Sequence, residues 1–516
     1  MDHDINEDSN EATASGVKTH GDLGQDSDGA GRLPVGLILK AGIPILVAGI
    51  IWFLPVPTTL AKAGTPLVAP TGMHLLGIFV GTIVALITQP LPTASVTLVG
   101  LAVAMITKTM PLSGSPAPAL AGFANSTVWL IVAAFFISEG FLLTGLGRRI
   151  ALHFVRKLGK SSLGLAYGMA ATDLILAPAT PSNTARAGGV VFPIVRSLSL
   201  LEGSTPDTDD SRKKLGAYLM MTTVMVNTIT SAMFITAMAG NPVAVAAAKA
   251  MKVPVNISWG KWALAASVPG MLSLIAVPWL MYKIYPPGLK ATPEAPAHAV
   301  AELAKLGRVT RKEWIMVATF FLLLVLWVLG DTLDINATAA AFVGVAILLI
   351  TGVLSWKDMA DNHSAWQTLI FFGTLVGMAA YLNTLGVIPW IGLKMADAVK
   401  GTHWLVAFGV LSIVYFYIHY LFASNTAQIT AMYAVFLGTS IAAGAPPMFA
   451  ALALGFIGNL FGGLTHYASG PSGVIAGSGY VPPSEWFKTA FIMSIPVLLI
   501  WSTVGGLWMY LIGAWR

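Results

Sequence analysis

Apolar stretches of about the length a bilayer requires, roughly 17–25 residues, recur along nearly this whole chain. Gly36–Leu54, Met73–Thr88, Ala263–Tyr282, Trp314–Gly330, Ala340–Leu354 and Phe487–Leu511 are examples. Of the 516 residues, 56% are hydrophobic and only 10% are charged, against about 25% charged in an ordinary soluble domain. A surface so poor in charge must face lipid, so the sequence predicts an all-α polytopic membrane protein. Cysteine is absent, which excludes disulfides, thiolate metal sites and thiol catalysis. The net charge of +6 comes from basic residues in short loops between apolar runs. That is the signature of membrane topology, and no nucleic-acid partner is expected.

Residues 1–33 are polar and acidic (Asp2, Asp4, Glu7, Asp8, Glu11, Asp22, Asp26 and Asp28). They resemble neither a signal peptide nor an acid-poor transit peptide. They read as a disordered cytoplasmic tail in a protein of a bacterial inner membrane. With the N-terminus inside, the first span lies within 34–70. Spans at Met73–Thr88, Thr93–Thr107 and Ser126–Thr144 then bring Arg148, Arg149, Arg156, Lys157 and Lys160 to the cytoplasmic side. Arg212, Lys213, Lys214, Lys305, Arg308, Arg311 and Lys312 join them there only if 162–198 enters and leaves from one side. That segment has two short apolar arms around the tip Ala177–Thr184, which is rich in proline and hydroxyl groups. Irregular backbone at membrane depth survives only where protein or a water-filled cavity satisfies it, so a re-entrant hairpin is expected.

The pattern returns in the second half, where 403–439 has two arms around Phe422–Thr426. A long apolar segment follows each hairpin: 215–251, interrupted at Gly240-Asn241-Pro242, and 448–481, interrupted at Ser469-Gly470-Pro471. The two Ser-Asn-Thr tripeptides begin at Ser182 and Ser424, and 424 − 182 = 242 residues. Units 71–290 and 313–516, joined by a cytoplasmic linker at 291–312, then form an inverted repeat with about eleven transmembrane helices in all. Paired interrupted helices in inverted repeats point to a substrate site near the bilayer midplane.

A tip at membrane depth offers unpaired N–H groups at the start of its return arm. Ser182, Asn183 and Thr184 add hydroxyl and amide donors, mirrored by Ser424, Asn425 and Thr426. Two opposed tips of this kind suit a substrate with a carboxylate at each end. The alternative is that each tripeptide only caps its arm. Gly240, Asn241, Gly470 and Pro471 are expected to line the same cavity. Ionisable residues at apolar positions are functional candidates by default. Arg186 and His466 could each place positive charge near a dianion, although Arg186 could instead pair internally with Asp173. Glu139 and His419 have weaker claims. No metal site and no cofactor is expected. An intramembrane enzyme would need a motif such as His-Glu-x-x-His or Gly-x-Ser-x-Gly in a suitable context. A receptor would not need two inverted broken-helix repeats, and a channel would show a polar pore-lining stripe.

In Ala177–Val195, His419–Leu437 and Ala450–Gly470 the chain resembles the divalent anion–sodium symporters, and among them the 2-oxoglutarate/malate translocator branch. The likeness extends over roughly residues 35–516. It implies eleven spans, two hairpins, a homodimer and an elevator movement, with the substrate carboxylates on the two Ser-Asn-Thr tips and on backbone at the breaks. The implied substrates are 2-oxoglutarate, malate or succinate, with citrate or tartrate as further candidates. Sodium-coupled members usually carry a small or hydroxyl residue where this chain has Arg186. A fixed guanidinium there would compete with a cation, as could His466 in the other half. The resemblance therefore implies a dicarboxylate antiporter, with a sodium-coupled symporter as the alternative.

Overall fold

A computed structural model describes residues 35–59, 67–114, 117–251, 253–398 and 401–516. The acidic segment 1–33 lies outside them. The described residues are helical and loop, and their one sheet-like feature is an isolated bridge between Ser161 and Ala291.

The first half begins with α1 (Val35–Trp52), packed on α2 (Gly72–Thr88), followed by α3 (Thr93–Ile106) and α4 (Ser126–Thr144). Asn125 starts α4 by accepting the Thr127 N–H at 2.8 Å, the usual service of an N-cap amide. Next come α5 (Leu146–Leu158), α6 (Ser162–Leu176) and a return arm. That arm opens as a π-helix, Thr184–Val191, and continues as α7 (Phe192–Leu201). Then follow α8 (Gly216–Met233), α9 (Gly240–Lys249), α10 (Trp259–Ile284) and α11 (Glu294–Leu306).

The second half runs through α12 (Arg311–Val328), α13 (Ala337–Ile350), α14 (His363–Thr384) and α15 (Val387–Ala398). Its hairpin consists of α16 (Trp404–Tyr417) and α17 (Asn425–Ala442). After it come α18 (Pro447–Leu460), α19 (Gly470–Ala476) and α20 (Pro483–Leu499); a π-turn then leads into α21 (Gly505–Leu511).

Six helical segments among the described residues are long and apolar enough to cross a membrane. Two of them, Ser162–Ala179 and Trp404–Leu421, are first arms of the hairpins. Length alone therefore does not separate an arm from a span. Ser162 Oγ donates to the Leu289 carbonyl, and the Leu289 N–H donates to the Lys214 carbonyl. Ser204, just past the end of the return arm, donates to the Ser211 carbonyl at 2.7 Å. Both ends of the first hairpin thus come back to one face of the molecule.

That face gathers the basic segments. α5 packs along α11, where Arg149 donates to Glu313 Oε1 at 2.5 Å and to the Gly307 carbonyl at 3.0 Å. A guanidinium at the exposed carbonyls ending α11 complements that helix end. Arg212, buried within the same face, reaches from the first half to Glu485 at 2.7 Å in the second, and Tyr285 bonds the same carboxylate. Glu485→Gln should lower stability by about 1.5–3 kcal/mol, as for loss of a charge-assisted hydrogen bond. An unchanged thermal midpoint in detergent would show that this pair does not hold the halves together.

Every residue of α8 is buried, as expected of a helix surrounded by others. It packs against α6, α10 and α18, and it carries Asn227, Thr228, Thr230 and Ser231 into the interior. A separate apolar cluster joins α2, α3 and α14.

Candidate functional site

The two tips are built alike. Ser182 Oγ accepts the Ala185 N–H at 3.0 Å, and Ser424 Oγ accepts the Ala427 N–H at 3.3 Å. Both serine oxygens therefore cap the arms they start, while each O–H remains able to donate. Asn183 and Thr184 are half-buried, and no side-chain hydrogen bond ties either one among the described residues. Asn425 is buried, its amide donating to the Gly458 carbonyl at 3.2 Å while its own oxygen has no partner. Thr426 is half-buried, with its hydroxyl 3.8 Å from Met238 Sδ.

The helix interruptions do not fall where the Gly/Pro motifs suggest. α8 ends at Met233, and the irregular backbone runs from Phe234 to Ala239. In the second half it runs from Phe461 to Ser469. Gly240-Asn241-Pro242 opens α9, and Gly470-Pro471 opens α19 behind the N-cap Ser469. Proline is at home in a first helical turn, where its missing N–H would be unpaired in any case. The motif thus marks where a helix restarts, and the gap precedes it.

Tips and restarts meet across the two halves. Gly470 lies against Thr184 so closely that a Cβ there would overlap the threonine hydroxyl. A Cβ on Gly240 would stand 2.8 Å from Cδ1 of Ile429, one turn beyond the second tip. Asn241 is fully buried and accepts from Asn459 Nδ2 at 2.7 Å, while its own amide donates to the carbonyls of Ser231 and Phe234. It joins α9 to α18 and presents no free group. Pro471 is likewise buried. Of the four break residues named from the sequence, Gly470 is the exposed one.

Arg186 is fully buried and uses all five of its N–H donors. Nε bonds Asp173 at 3.0 Å, and Nη1 bonds the carbonyls of Thr180 and Ala237, both at 2.8 Å. Nη2 reaches Thr230 at 3.4 Å and Ser231 at 2.9 Å. Asn227 and Thr230 complete the shell of Asp173. The internal pair is thus formed, and the guanidinium does not reach the open side of the tip. It does tie the first tip to the first interruption, filling a space walled by two carbonyl oxygens.

The second half does the same with other residues. Gln428 is the repeat counterpart of Arg186, since 186 + 242 = 428. Its amide donates to the Tyr415 carbonyl at 2.6 Å, which turns its oxygen towards His419 Nδ1, also at 2.6 Å. His419 Nε2 lies 3.0 Å from the Ala468 carbonyl in the second interruption. The ring is fully buried and stacks on Phe461 at 4.1 Å. His466 is half-buried, with edge-on ring contacts to Tyr467 and Phe487. The signal for His419 was a polar residue at an apolar position. Which face of the arm it occupied could not be read from spacing.

The family description "Sodium:sulfate symporter transmembrane region" matches residues 36–515. YflS of Bacillus subtilis, named as a candidate malate transporter, is 46% identical, over 94% of this chain and 99% of its own length. Dicarboxylate transporter 1 of Arabidopsis thaliana chloroplasts is 44% identical over 93% of this chain and 84% of its own. The L-tartrate/succinate antiporter of Escherichia coli is 35% identical over 90% and 96%. Among solved structures, MtrF of Neisseria gonorrhoeae shares the fold at a TM-score of 0.52 and 14% identity, over 92% of this chain and 95% of that one. A family match that begins at the first apolar helix and runs almost to the C-terminus leaves one conclusion: the chain belongs to the sodium:sulfate symporter family of membrane proteins.

Proposed function

We propose that this protein is a secondary transporter of small dicarboxylates, of the 2-oxoglutarate, malate and succinate kind, and that it exchanges one dianion for another. It sits as a homodimer in a bacterial inner membrane with its N-terminus cytoplasmic. Eleven spans and two re-entrant hairpins form an inverted repeat, and an elevator movement carries the site across. The relatives' names support the substrate class, and the paired tips support recognition of two carboxylates. Asn183 and Thr184 take one end of the substrate from the first tip, and Asn425 and Thr426 take the other from the second. Ser182 and Ser424 hold those tips in shape, while Gly240, Asn241, Gly470 and Pro471 set the backbone around them.

One observation carries the exchange reading. The carbonyl-walled space behind each tip, where a coupling cation would find oxygen ligands, is filled by a protein side chain. Arg186 fills the first. For the second we assign His419 in place of His466. Its two ring nitrogens face the Gln428 amide oxygen and the Ala468 carbonyl, so the ring occupies the space between them. Exchange of dianions moves no net charge and needs no ion.

The test is uptake of labelled malate into proteoliposomes, preloaded with 2-oxoglutarate or left empty, each with and without sodium. Uptake confined to preloaded vesicles and indifferent to sodium is expected. Uptake into empty vesicles that requires sodium would overturn exchange in favour of symport.

A further inference from the structure

The end of the molecule opposite the basic segments holds a cavity of about 260 Å³. On one side it is walled by Ile235 and Pro242, which belong to the first interruption and its helix restart. On the other side are the first residues of α4 and α13. Trp259, opening α10, and Trp327, near the end of α12, stack across the seam at 5.8 Å. The cavity therefore lies between the helices that carry the first tip's partners and the helices packed around them.

Its charge is unusual for its place. Lys249, in the last turn of α9, and Lys261, in the first turn of α10, both line it. Both are exposed, and neither forms an ion pair among the described residues. The one acid in the wall, Asp331, accepts from Ser258 Oγ at 2.6 Å. The lining thus carries an excess of one positive charge, two lysines less one aspartate. Topology favours basic residues at the other end of the molecule, so placing two lysines here works against insertion and calls for another reason. A concave, low-dielectric wall concentrates the field of such charges and raises the local concentration of an anion.

We propose that this cavity is a capture site for the dicarboxylate dianion, in which Lys249 and Lys261 hold the substrate at that face before it passes the first interruption to reach the tips. The proposal rests on the reading of the chain as a dicarboxylate transporter. Both lysines sit on helices continuous with the site and stay with it when it moves. Asp331 opposes capture and limits how tightly the cavity holds its anion, so release towards the tips stays fast.

The test measures initial rates of labelled malate exchange in oriented vesicles, from each face separately, at low and at high ionic strength. For K249Q/K261Q, the KM at the cavity face should rise about tenfold at low salt, within the range of electrostatic steering. Its kcat and the KM at the opposite face should not change. The salt dependence of the wild-type KM at the cavity face should disappear in this variant and return in K249R/K261R. Asp331→Asn should lower KM at the cavity face. A rise in KM of equal size from both faces, an unaltered salt dependence or no change at all would overturn the capture site. Absence of malate exchange in the wild type would instead overturn the transport reading, and this one with it.

Discussion

Arg186→Ala is expected to abolish exchange and to destabilise the protein by about 3–5 kcal/mol, the usual cost of removing one partner from a buried ion pair. The guanidinium has no solvent exposure, and Asp173 opposite it is 2% exposed. Once the guanidinium is gone, the carboxylate is left buried with only the neutral Asn227 and Thr230 side chains beside it. The carbonyls of Thr180 and Ala237 lose their shared donor in the same step, so the tip and the interruption come apart. A double variant, Asp173→Asn with Arg186→Ala, separates the two consequences. Removing both charges should restore much of the thermal stability, because no lone ion is left in the interior. It should leave exchange low, because nothing then joins tip to interruption. If the guanidinium occupies the place of a coupling cation, sodium should stimulate the double variant and leave the wild type unaffected. A double variant as active as wild type without sodium would reduce Arg186 to a packing residue.

Much of this architecture could be read in the sequence because lipid imposes strict rules. A chain with so few charges has few ways to place them, and the basic loops showed which ends of the helices lie together. The contacts of Arg149 with α11 and of Arg212 with Glu485 put those loops on one face. The Ser-Asn-Thr copies marked both hairpin tips, because a polar tripeptide flanked by apolar arms has few places to go at membrane depth. Three features were not legible. The interruptions lie on the N-terminal side of their Gly/Pro motifs, since proline tolerates a helix start better than it marks a gap. Each serine oxygen accepts from its own arm, so where its remaining O–H points depends on side-chain rotation, which a tripeptide cannot reveal. The side chain that fills the second space depended on which side of its arm a histidine faces. His419 turns inward onto Phe461, a three-dimensional accident of two segments more than 40 residues apart. The shift of 242 residues that aligns the tips would have pointed to Gln428, and from there to the histidine that its amide oxygen faces.

The meeting of each tip with the other half's helix restart yields the last expectation. Gly470→Ala should reduce exchange by about 10²-fold, the size of effect that a misplacement near 1 Å produces at a preorganised site, while lowering stability little. The added methyl group would overlap the Thr184 hydroxyl and come within 3.0 Å of its Cβ. Thr184 begins a π-helix, so it cannot retreat without disturbing the arm that holds Arg186. Backbone strain is not the cause, because Gly470 is not among the glycines in the left-handed region. Two comparisons isolate the contact. Gly473 lies on the same short helix with open space where a methyl group would go, so Gly473→Ala should exchange normally. Gly240→Ala would press on the flexible end of Ile429 and the thioether of Met238, which can yield, so its loss should be several-fold smaller than that of Gly470→Ala. A Gly470→Ala protein that exchanges at the wild-type rate would mean that the first tip and the second restart do not work at this separation. A substrate gripped between the two tips would then need a different frame.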